Sequence, residues 1–216
     1  MIIAIDGPSA SGKSTTAKGV AMILGYLHLD TGAMYRAVTL GFMNAGINLN
    51  HKVEVFRILK DIDITFNDLS QICLNGKSVS KQIRTTDISS SVSSVSAIPE
   101  VREKMVKIQR EIAGKKNCVL EGRDIGTVVF PNARHKFFLV ADTEIRAKRR
   151  LLEMRDMGEK RSLNDLICDI EMRDRLDRTR NHSPLVKADD AVSIDTSLLT
   201  INEQINKIVS IINKQK

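Results

Sequence analysis

Apolar residues along this chain fall into two alternating patterns, short continuous runs and longer stretches at helical spacing. Residues 1–6 form an apolar, β-branched run that predicts a buried strand, and residues 15–24 carry helical spacing directly after it. This alternation predicts an α/β fold, in which helices cover both faces of a parallel sheet. Further strands are predicted at 26–30, 118–121, 136–140 and 191–195, and further helices at 34–45, 99–113, 143–157, 162–179 and from 201 onward.

Residues of the cap-forming types predict where several helices begin. Thr31 is the predicted cap of the 34–45 helix, and Asn50 that of a short helix after it. Pro99 suits the first turn of a helix, with Ser96 as its predicted cap. Thr200 is the predicted cap of the last helix.

The pattern changes between residues 61 and 84. Short β-like runs at 63–66, 72–74 and 77–79 surround Asn75-Gly76, the dipeptide most typical of a tight hairpin turn. We therefore expect a small antiparallel patch, the core of an inserted module, within the α/β pattern. The serine- and valine-rich segment 83–97 receives no secondary structure from its pattern.

Composition limits the classes of partner. With 216 residues the chain is long enough for one sizeable α/β core, and its formal charge of +7 favours anionic partners, either phosphate-rich small molecules or nucleic acid. Aromatic residues make up only 4% and Trp is absent, so stacking platforms for bases are scarce. We expect no nucleic-acid partner.

Three widely spaced cysteines without a C-x-x-C pair indicate reduced thiols, and the four histidines show no metal-ligand spacing. No apolar stretch approaches eighteen residues, and no basic-then-apolar leader precedes the first strand. These features predict a cytoplasmic protein with no membrane partner, and we expect a monomer.

A glycine-rich loop between the first strand and the first helix carries the strongest chemical signal. It fits G-x-x-x-x-G-K-[ST], and strand, loop and helix are the context that this phosphate-binding loop requires. Free backbone N–H groups and the positive helix end face a polyphosphate, Lys13 can reach the β- and γ-phosphates, and the Ser14 hydroxyl can ligate Mg²⁺. The residues predicted to bind a nucleoside triphosphate are Gly7, Pro8, Ser9, Ala10, Ser11, Gly12, Lys13, Ser14 and Thr15.

Three polar motifs follow predicted strands: residues 7–14, 30–32 and 121–124. Ligands of parallel sheets bind beyond the carboxyl ends of the strands, so these motifs are expected to form one site. Glu121 can accept a hydrogen bond from Mg²⁺-bound water. Two other motifs each leave two interpretations open. Residues 30–32 either position an acceptor or only cap a helix. Residues 123–124 either serve catalysis or form a structural ion pair.

Phosphoryl transfer requires charge neutralisation, so arginines are candidates for catalysis. Arg173, Asp177 and Arg180 occupy one face of the 162–179 helix. The spacing leaves this assignment open, because Glu171, Arg175 and Arg178 repeat it on another face, and a solvated, salt-bridged helix would show the same pattern.

Several segments together resemble the bacterial cytidylate kinase family, in matching order over essentially the whole chain. They are residues 7–15, 30–36, 98–102, 121–131 and 173–178, of which 121–131, EGRDIGTVVFP, is the most specific. The resemblance implies a P-loop nucleoside monophosphate kinase fold, with a core at 1–60, 85–150 and 175–216, a monophosphate-binding insertion at about 61–84 and a lid at about 151–165. It implies transfer of the γ-phosphate of ATP to CMP or dCMP, with Mg²⁺.

The resemblance also implies roles for individual residues. Ser93, Arg102 and Asp124 match residues that recognise cytosine; Arg36, Arg123 and Arg180 match residues around the acceptor phosphate; Arg173 and Asp177 match residues near the sugar; and Thr31 belongs to the same CMP site. Arg123, Arg173 and Arg180 would act in catalysis together with Lys13. Arg149 and Arg155 are weaker lid candidates. Glu121 departs from the family, since many members carry Asp there, and Thr31 stands where some carry Ser.

Two other functions remain alternatives. A small-metabolite kinase of the shikimate or gluconate type would share the core, although the insertion at 61–84 argues against it. A P-loop nucleic-acid-binding or regulatory protein would account for the positive charge.

Overall fold

The computed structural model describes residues 1–67, 70–114, 116–156 and 158–214. Its strands are β1 Ile2–Asp6, β2 Leu27–Asp30, β3 Ile64–Phe66, β4 Ile72–Leu74, β5 Lys77–Ser78, β6 Cys118–Gly122, β7 His135–Val140 and β8 Val192–Asp195. Its α-helices are α1 Lys13–Leu24, α2 Thr31–Asn44, α3 Lys52–Asp61, α4 Thr86–Ser96, α5 Pro99–Ala113, α6 Thr143–Asp156, α7 Leu163–Thr179 and α8 Ile201–Lys214.

The chain divides into two compact units, and the first joins Met1–Leu29 to Ala113–Lys216. Its sheet has the order β2-β6-β1-β7-β8, and β1 pairs in parallel with both β6 and β7. The register places Asp6 opposite Gly122, so the loops after β1 and β6 leave the same edge of the sheet. The parallel sheet predicted from the alternating pattern is confirmed.

A hydrophobic core attaches α1 and α8 to this sheet. Successive residues of β1 from Ile3 to Ile5 are fully buried because both faces of the sheet are covered there, which explains the continuous apolar run. In β8 only Ile194 is buried. Thr200 begins α8 as predicted: its Oγ1 accepts a hydrogen bond from the Glu203 backbone, while the Glu203 carboxylate accepts one from the Thr200 backbone. The cluster contains Ile3, Ile5, Val20, Val119, Phe137, Leu139, Ile194, Ile208 and Ile212.

The second unit, Asp30–Ile112, contains α2, α3, α4 and a small antiparallel sheet of order β3-β4-β5. Asn75 and Gly76 both have positive φ, 49° and 76°, as the tight turn between β4 and β5 requires. The predicted antiparallel patch is therefore present. The unit is wider than the insertion expected at 61–84, and the assignment of the insertion and of the lid stays a prediction.

Three helix starts differ from the expectation. The cap of α2 is Asp30, whose carboxylate accepts a hydrogen bond from the Ala33 backbone, so α2 already includes Thr31. α3 follows His51 and not Asn50. Ser96 is the last residue of α4, and its hydroxyl donates to the Ser93 carbonyl.

The segment without a predicted structure is mostly helical. Gln82–Arg84 forms one 3₁₀ turn, and Thr86–Ser96 forms α4, which packs against α2. Within the described ranges, every helix is too short or too polar to cross a membrane.

Candidate active site

The loop after β1 has the backbone geometry of a phosphate-binding loop. Gly7 and Gly12 adopt φ of 151° and 88°, conformations that side chains disfavour. A Cβ on Gly7 would lie 2.2 Å from the Leu139 carbonyl oxygen, so only glycine fits this close approach to β7. Gly12 directly precedes α1, which directs the first backbone N–H groups of the helix toward the loop.

Carbonyl groups of the loop are held by donors from other parts of the unit. Arg146 of α6 donates to the Ser9 carbonyl at 3.1 Å, and Thr196 after β8 donates to the Ser11 carbonyl at 3.0 Å. Arg146 also donates to Asp174 of α7 at 2.7 Å, and both side chains are buried. The loop is thus anchored to the sheet and to two helices.

Lys13 is buried at the start of α1, and its Nζ donates to the Pro8 carbonyl at 2.5 Å. Burial, reinforced by the positive charge of Arg123, lowers the pKa of Lys13 well below its usual range. Glu121 opposes this shift in pKa. An anion that enters the loop would stabilise the charged form of this buried side chain.

Glu121 connects β6 to the loop. Its Oε2 accepts a hydrogen bond of 2.5 Å from the Ser14 hydroxyl, and its Oε1 lies 3.0 Å from Nε2 of His28 in β2. The carboxylate is almost fully buried. The structure thus brings together the two predicted magnesium-site residues and adds a histidine that the sequence patterns did not indicate.

Arginines collect around Asp177 on the inner face of α7. Oδ2 of Asp177 accepts a hydrogen bond of 2.8 Å from Nε of Arg123, and Oδ1 lies 3.8 Å from Nη1 of Arg180. Burial alone would raise the pKa of Asp177, but the charges of Arg123, Arg173 and Arg180 outweigh it and the pKa is lowered. Arg123 and Arg173 also act electrostatically on Lys13.

Exposure separates the two candidate faces of α7. Asp177 is buried and Arg173 partly so, whereas Glu171, Arg175 and Arg178 are exposed. The inward face of α7 is therefore the one that carries Arg173 and Asp177, the two residues that the resemblance places near the sugar. The structure gives Arg123 an ion pair with Asp177 of another element.

Asp124 is buried at the start of a single π-helical turn, Ile125–Val129. The carboxylate of Asp6, at the end of β1, accepts hydrogen bonds from the backbone N–H groups of Ile125 and Gly126 at 2.9 and 2.8 Å. Burial outweighs these bonds and raises the pKa of Asp6 to about 6. Asp6 thereby fixes the turn that presents Asp124.

Of the lid candidates, Arg149 donates to the carbonyl of Thr196 at 2.5 Å and to its hydroxyl at 3.2 Å. Arg155 is exposed near the end of α6. Asp6, His28, Arg146 and Asp174 were missed by the sequence analysis because each acts through a partner that is distant in the chain.

In the second unit, α2 and α4 bring two predicted substrate residues together. Nη1 of Arg36 donates a hydrogen bond of 2.8 Å to the Ser89 hydroxyl, and Ser93 lies one helical turn further along α4. Thr31 is buried at the first turn of α2.

Arg102 of α5 joins the same group. Its Nη1 donates to the Ser96 carbonyl at 3.1 Å, and its guanidinium lies 5.3 Å from the ring centre of Tyr35. Only 4% of Arg102 is exposed. Tyr35 is a further candidate, adjacent in sequence to Arg36, that the motif analysis did not single out.

Comparison with known proteins decides the family. A model of the family described as cytidylate kinase matches residues 3–214. The cytidylate kinase of Clostridioides difficile (strain 630) is 47% identical over 213 residues, which cover 99% of this chain and 98% of that protein. The chain belongs to the cytidylate kinase family. The cytidylate kinase of Cytophaga hutchinsonii is 49% identical, over 98% of this chain and 92% of its own.

A crystal structure of a gluconokinase from Sinorhizobium meliloti 1021 superposes with a TM-score of 0.52 over 99% of this chain and 91% of its own. At 14% identity this likeness shows a shared fold alone. Family membership confirms the expected P-loop nucleoside monophosphate kinase fold and the expected enzyme, a CMP or dCMP kinase. The comparisons support neither of the two alternative functions.

Proposed function

We propose that the loop of residues 7–15 binds ATP and that Ser14, with Glu121, holds its Mg²⁺. Ser14 Oγ would ligate the ion and Glu121 would accept a hydrogen bond from water bound to it; Ser14 Oγ and Glu121 Oε2 lie 2.5 Å apart. Hydroxyl and carboxylate oxygens are the hard ligands that Mg²⁺ prefers. Bound there, Mg²⁺ would neutralise charge on the phosphate oxygens of ATP.

We propose that Thr31, Arg36, Ser93 and Arg102 bind the acceptor nucleotide, CMP or dCMP. Arg36 suits the acceptor phosphate because a guanidinium binds phosphate oxygens through two parallel hydrogen bonds. Ser93 and Arg102 suit cytosine, whose ring nitrogen and carbonyl accept hydrogen bonds. We also propose that Asp124 recognises cytosine, since a carboxylate accepts a hydrogen bond from the amino group of the base.

Arg123, Arg173 and Arg180 are proposed to neutralise the transferred phosphoryl group. An acceptor phosphate oxygen attacks the γ-phosphorus in line, the bond from that phosphorus to the bridging oxygen breaks, and ADP leaves. The acceptor phosphate is already largely ionised at neutral pH, so the mechanism needs no general base. Lys13 holds the donor phosphates. Asp177 orients Arg123, and the remaining hydrogen-bond acceptor sites of its carboxylate bind the sugar.

The observation that carries this proposal is the cluster of charges around the buried carboxylate of Asp177, on which three arginines act, two of them acting also on Lys13. Phosphate groups that enter beside these cations would be stabilised electrostatically. The deciding experiment measures ADP release with CMP, dCMP, UMP, AMP and GMP as acceptors. We expect cytosine nucleotides to be preferred, and equal rates for all five acceptors would refute the assignment.

We further propose that the enzyme acts as a monomer. Sedimentation velocity at assay concentration measures it directly, and a single species at twice the mass of the 24.1 kDa chain would contradict it.

A further inference from the structure

His28 occupies a position next to the proposed magnesium site without being part of it. It lies in β2, and β2 is the neighbour of β6 in the sheet. Its Nε2 is 3.0 Å from Oε1 of Glu121, and the other carboxylate oxygen, Oε2, accepts the hydrogen bond from Ser14. The two oxygens of Glu121 therefore have different partners, one in β2 and one at the start of α1.

This division of contacts has a direct physical consequence. A glutamate has one more rotatable bond than an aspartate, so its carboxylate can occupy more positions when it is held at one oxygen only. An ionised carboxylate only accepts hydrogen bonds, so Nε2 of His28 is the donor, in the neutral ring as well as in the protonated one. A donor at Oε1 restricts rotation of the carboxylate and keeps Oε2 directed toward Ser14.

We infer that His28 is a positioning residue for the magnesium ion: it orients Glu121 so that Oε2 remains beside the Ser14 hydroxyl. The inference rests on the proposed magnesium site at Ser14 and Glu121. Residues that hydrogen-bond metal-binding carboxylates typically contribute about 10- to 100-fold to metal affinity or activity. His28 is about a quarter exposed, so replacing it disturbs the core far less than replacing Glu121 itself.

The test measures binding of Mg²⁺ to the complex of the enzyme with a non-hydrolysable ATP analogue, by calorimetric titration without any turnover. His28→Phe keeps a ring of similar size but removes the donor, and it should weaken Mg²⁺ binding about 10-fold or more. His28→Gln restores a side-chain N–H at similar reach and should return the affinity to within about threefold of wild type. Affinity for the analogue without Mg²⁺ should remain unchanged in both variants.

His51→Phe is the matched control, because His51 is exposed on the surface and contacts Glu54. It should leave Mg²⁺ binding at the wild-type level. A double-mutant cycle with Glu121→Gln separates a role through Glu121 from a general effect on packing: in that background, His28→Phe should have little further effect. If His28→Phe does not fold, His28→Ala and the same cycle give the same information.

Two outcomes distinguish the possible failures. If Ser14→Ala weakens Mg²⁺ binding but His28→Phe leaves it within twofold of wild type, the role of His28 is refuted while the proposed metal site stands. If Ser14→Ala leaves Mg²⁺ binding unchanged, the proposed metal site is itself wrong, and the inference about His28 fails with it.

Discussion

Asp177 accepts a hydrogen bond of 2.8 Å from Nε of Arg123, and the two residues are separated by 54 positions in the chain. The bond connects the end of β6 to the inner face of α7. A second guanidinium nitrogen, Nη1, donates to the Gly122 carbonyl at 3.4 Å, and a guanidinium carries five N–H donors in all. The acid thus orients a cation without consuming all of its donors.

Arg180 should be essential for turnover. Arg180→Ala removes one of the charges that stabilise the transferred phosphoryl group, and kcat should fall on the order of 10³-fold. Arg178→Ala is the matched control, because Arg178 lies on the exposed face of α7, two positions before Arg180, which follows the last residue of that helix. Steady-state rates of ADP release measure both variants. Equal, small effects in the two variants would contradict the assignment of the inner face.

Arg102 should set the preference for cytosine. Arg102→Gln removes the charged donor, and a buried site that lacks a required hydrogen bond discriminates poorly between substrates. We therefore expect kcat/KM for CMP to fall about tenfold or more, while KM for ATP changes little. The preference for CMP over UMP should shrink with it. Lys107→Gln, an exposed position on the same helix, should behave like wild type. A larger change in KM for ATP than in KM for CMP would show that Arg102 does not bind the acceptor nucleotide.

The arginine cluster should make stability depend on acidic pH. Asp177 has a lowered pKa in the folded protein, so its contribution is fully present above its unfolded pKa of about 3.8 and is lost as pH falls further, through the folded pKa. Melting temperatures between pH 5 and pH 2.5 should therefore fall less steeply for Asp177→Asn than for wild type. If the melting temperatures of the two proteins fall equally steeply with pH, the Asp177 carboxylate is not the source of this pH dependence.

Thiol reactivity should differ among the three cysteines. Cys168 is exposed, Cys73 and Cys118 are buried, and burial raises the pKa of Cys118 to about 12. A thiol with such a pKa is almost entirely protonated at neutral pH and unreactive. Titration with a thiol reagent should thus modify Cys168 rapidly in the native protein and all three residues in denaturant. Cys168→Ser removes the fast phase if the assignment is correct.

Gly7→Ala tests the close approach of the loop to β7. The added Cβ would meet the Leu139 carbonyl oxygen at 2.2 Å in a backbone conformation that alanine disfavours, which should cost on the order of 1–3 kcal/mol in the free energy of unfolding. Gly25→Ala separates the two causes, because Gly25 also has positive φ but open space around it, and its cost should be about 1 kcal/mol. Denaturant titration measures both. Identical losses would remove the steric explanation.

The apolar pattern predicted most strands and helices because their local preference and their burial agree. It did not predict α4, since serine and valine are weak helix formers and the helix depends on packing against α2. The cap of α2 was assigned to Thr31 and belongs to Asp30, an adjacent residue of equal capping ability. Only the backbone path distinguishes two such neighbours.

Motifs predicted the residues of the loop and of the arginine face, because residues at regular spacing along one loop or helix lie close together in space. Pairs from different elements carry no such signal. His28 and Glu121 meet only because β2 is the neighbour of β6, and Asp6 meets the turn after β6 only through the sheet register. These contacts depend on strand order, which a single sequence does not contain.

The anchored carbonyl groups of the phosphate-binding loop have a consequence for how it meets its ligand. In a trans peptide the C=O and the following N–H point in opposite directions. With the Ser9 carbonyl turned toward Arg146 and the Ser11 carbonyl toward Thr196, the amides of Ala10 and Gly12 face away from these donors. The loop is thereby shaped in advance as an anion receptor, so an anion that binds there would cost little conformational entropy in ordering it.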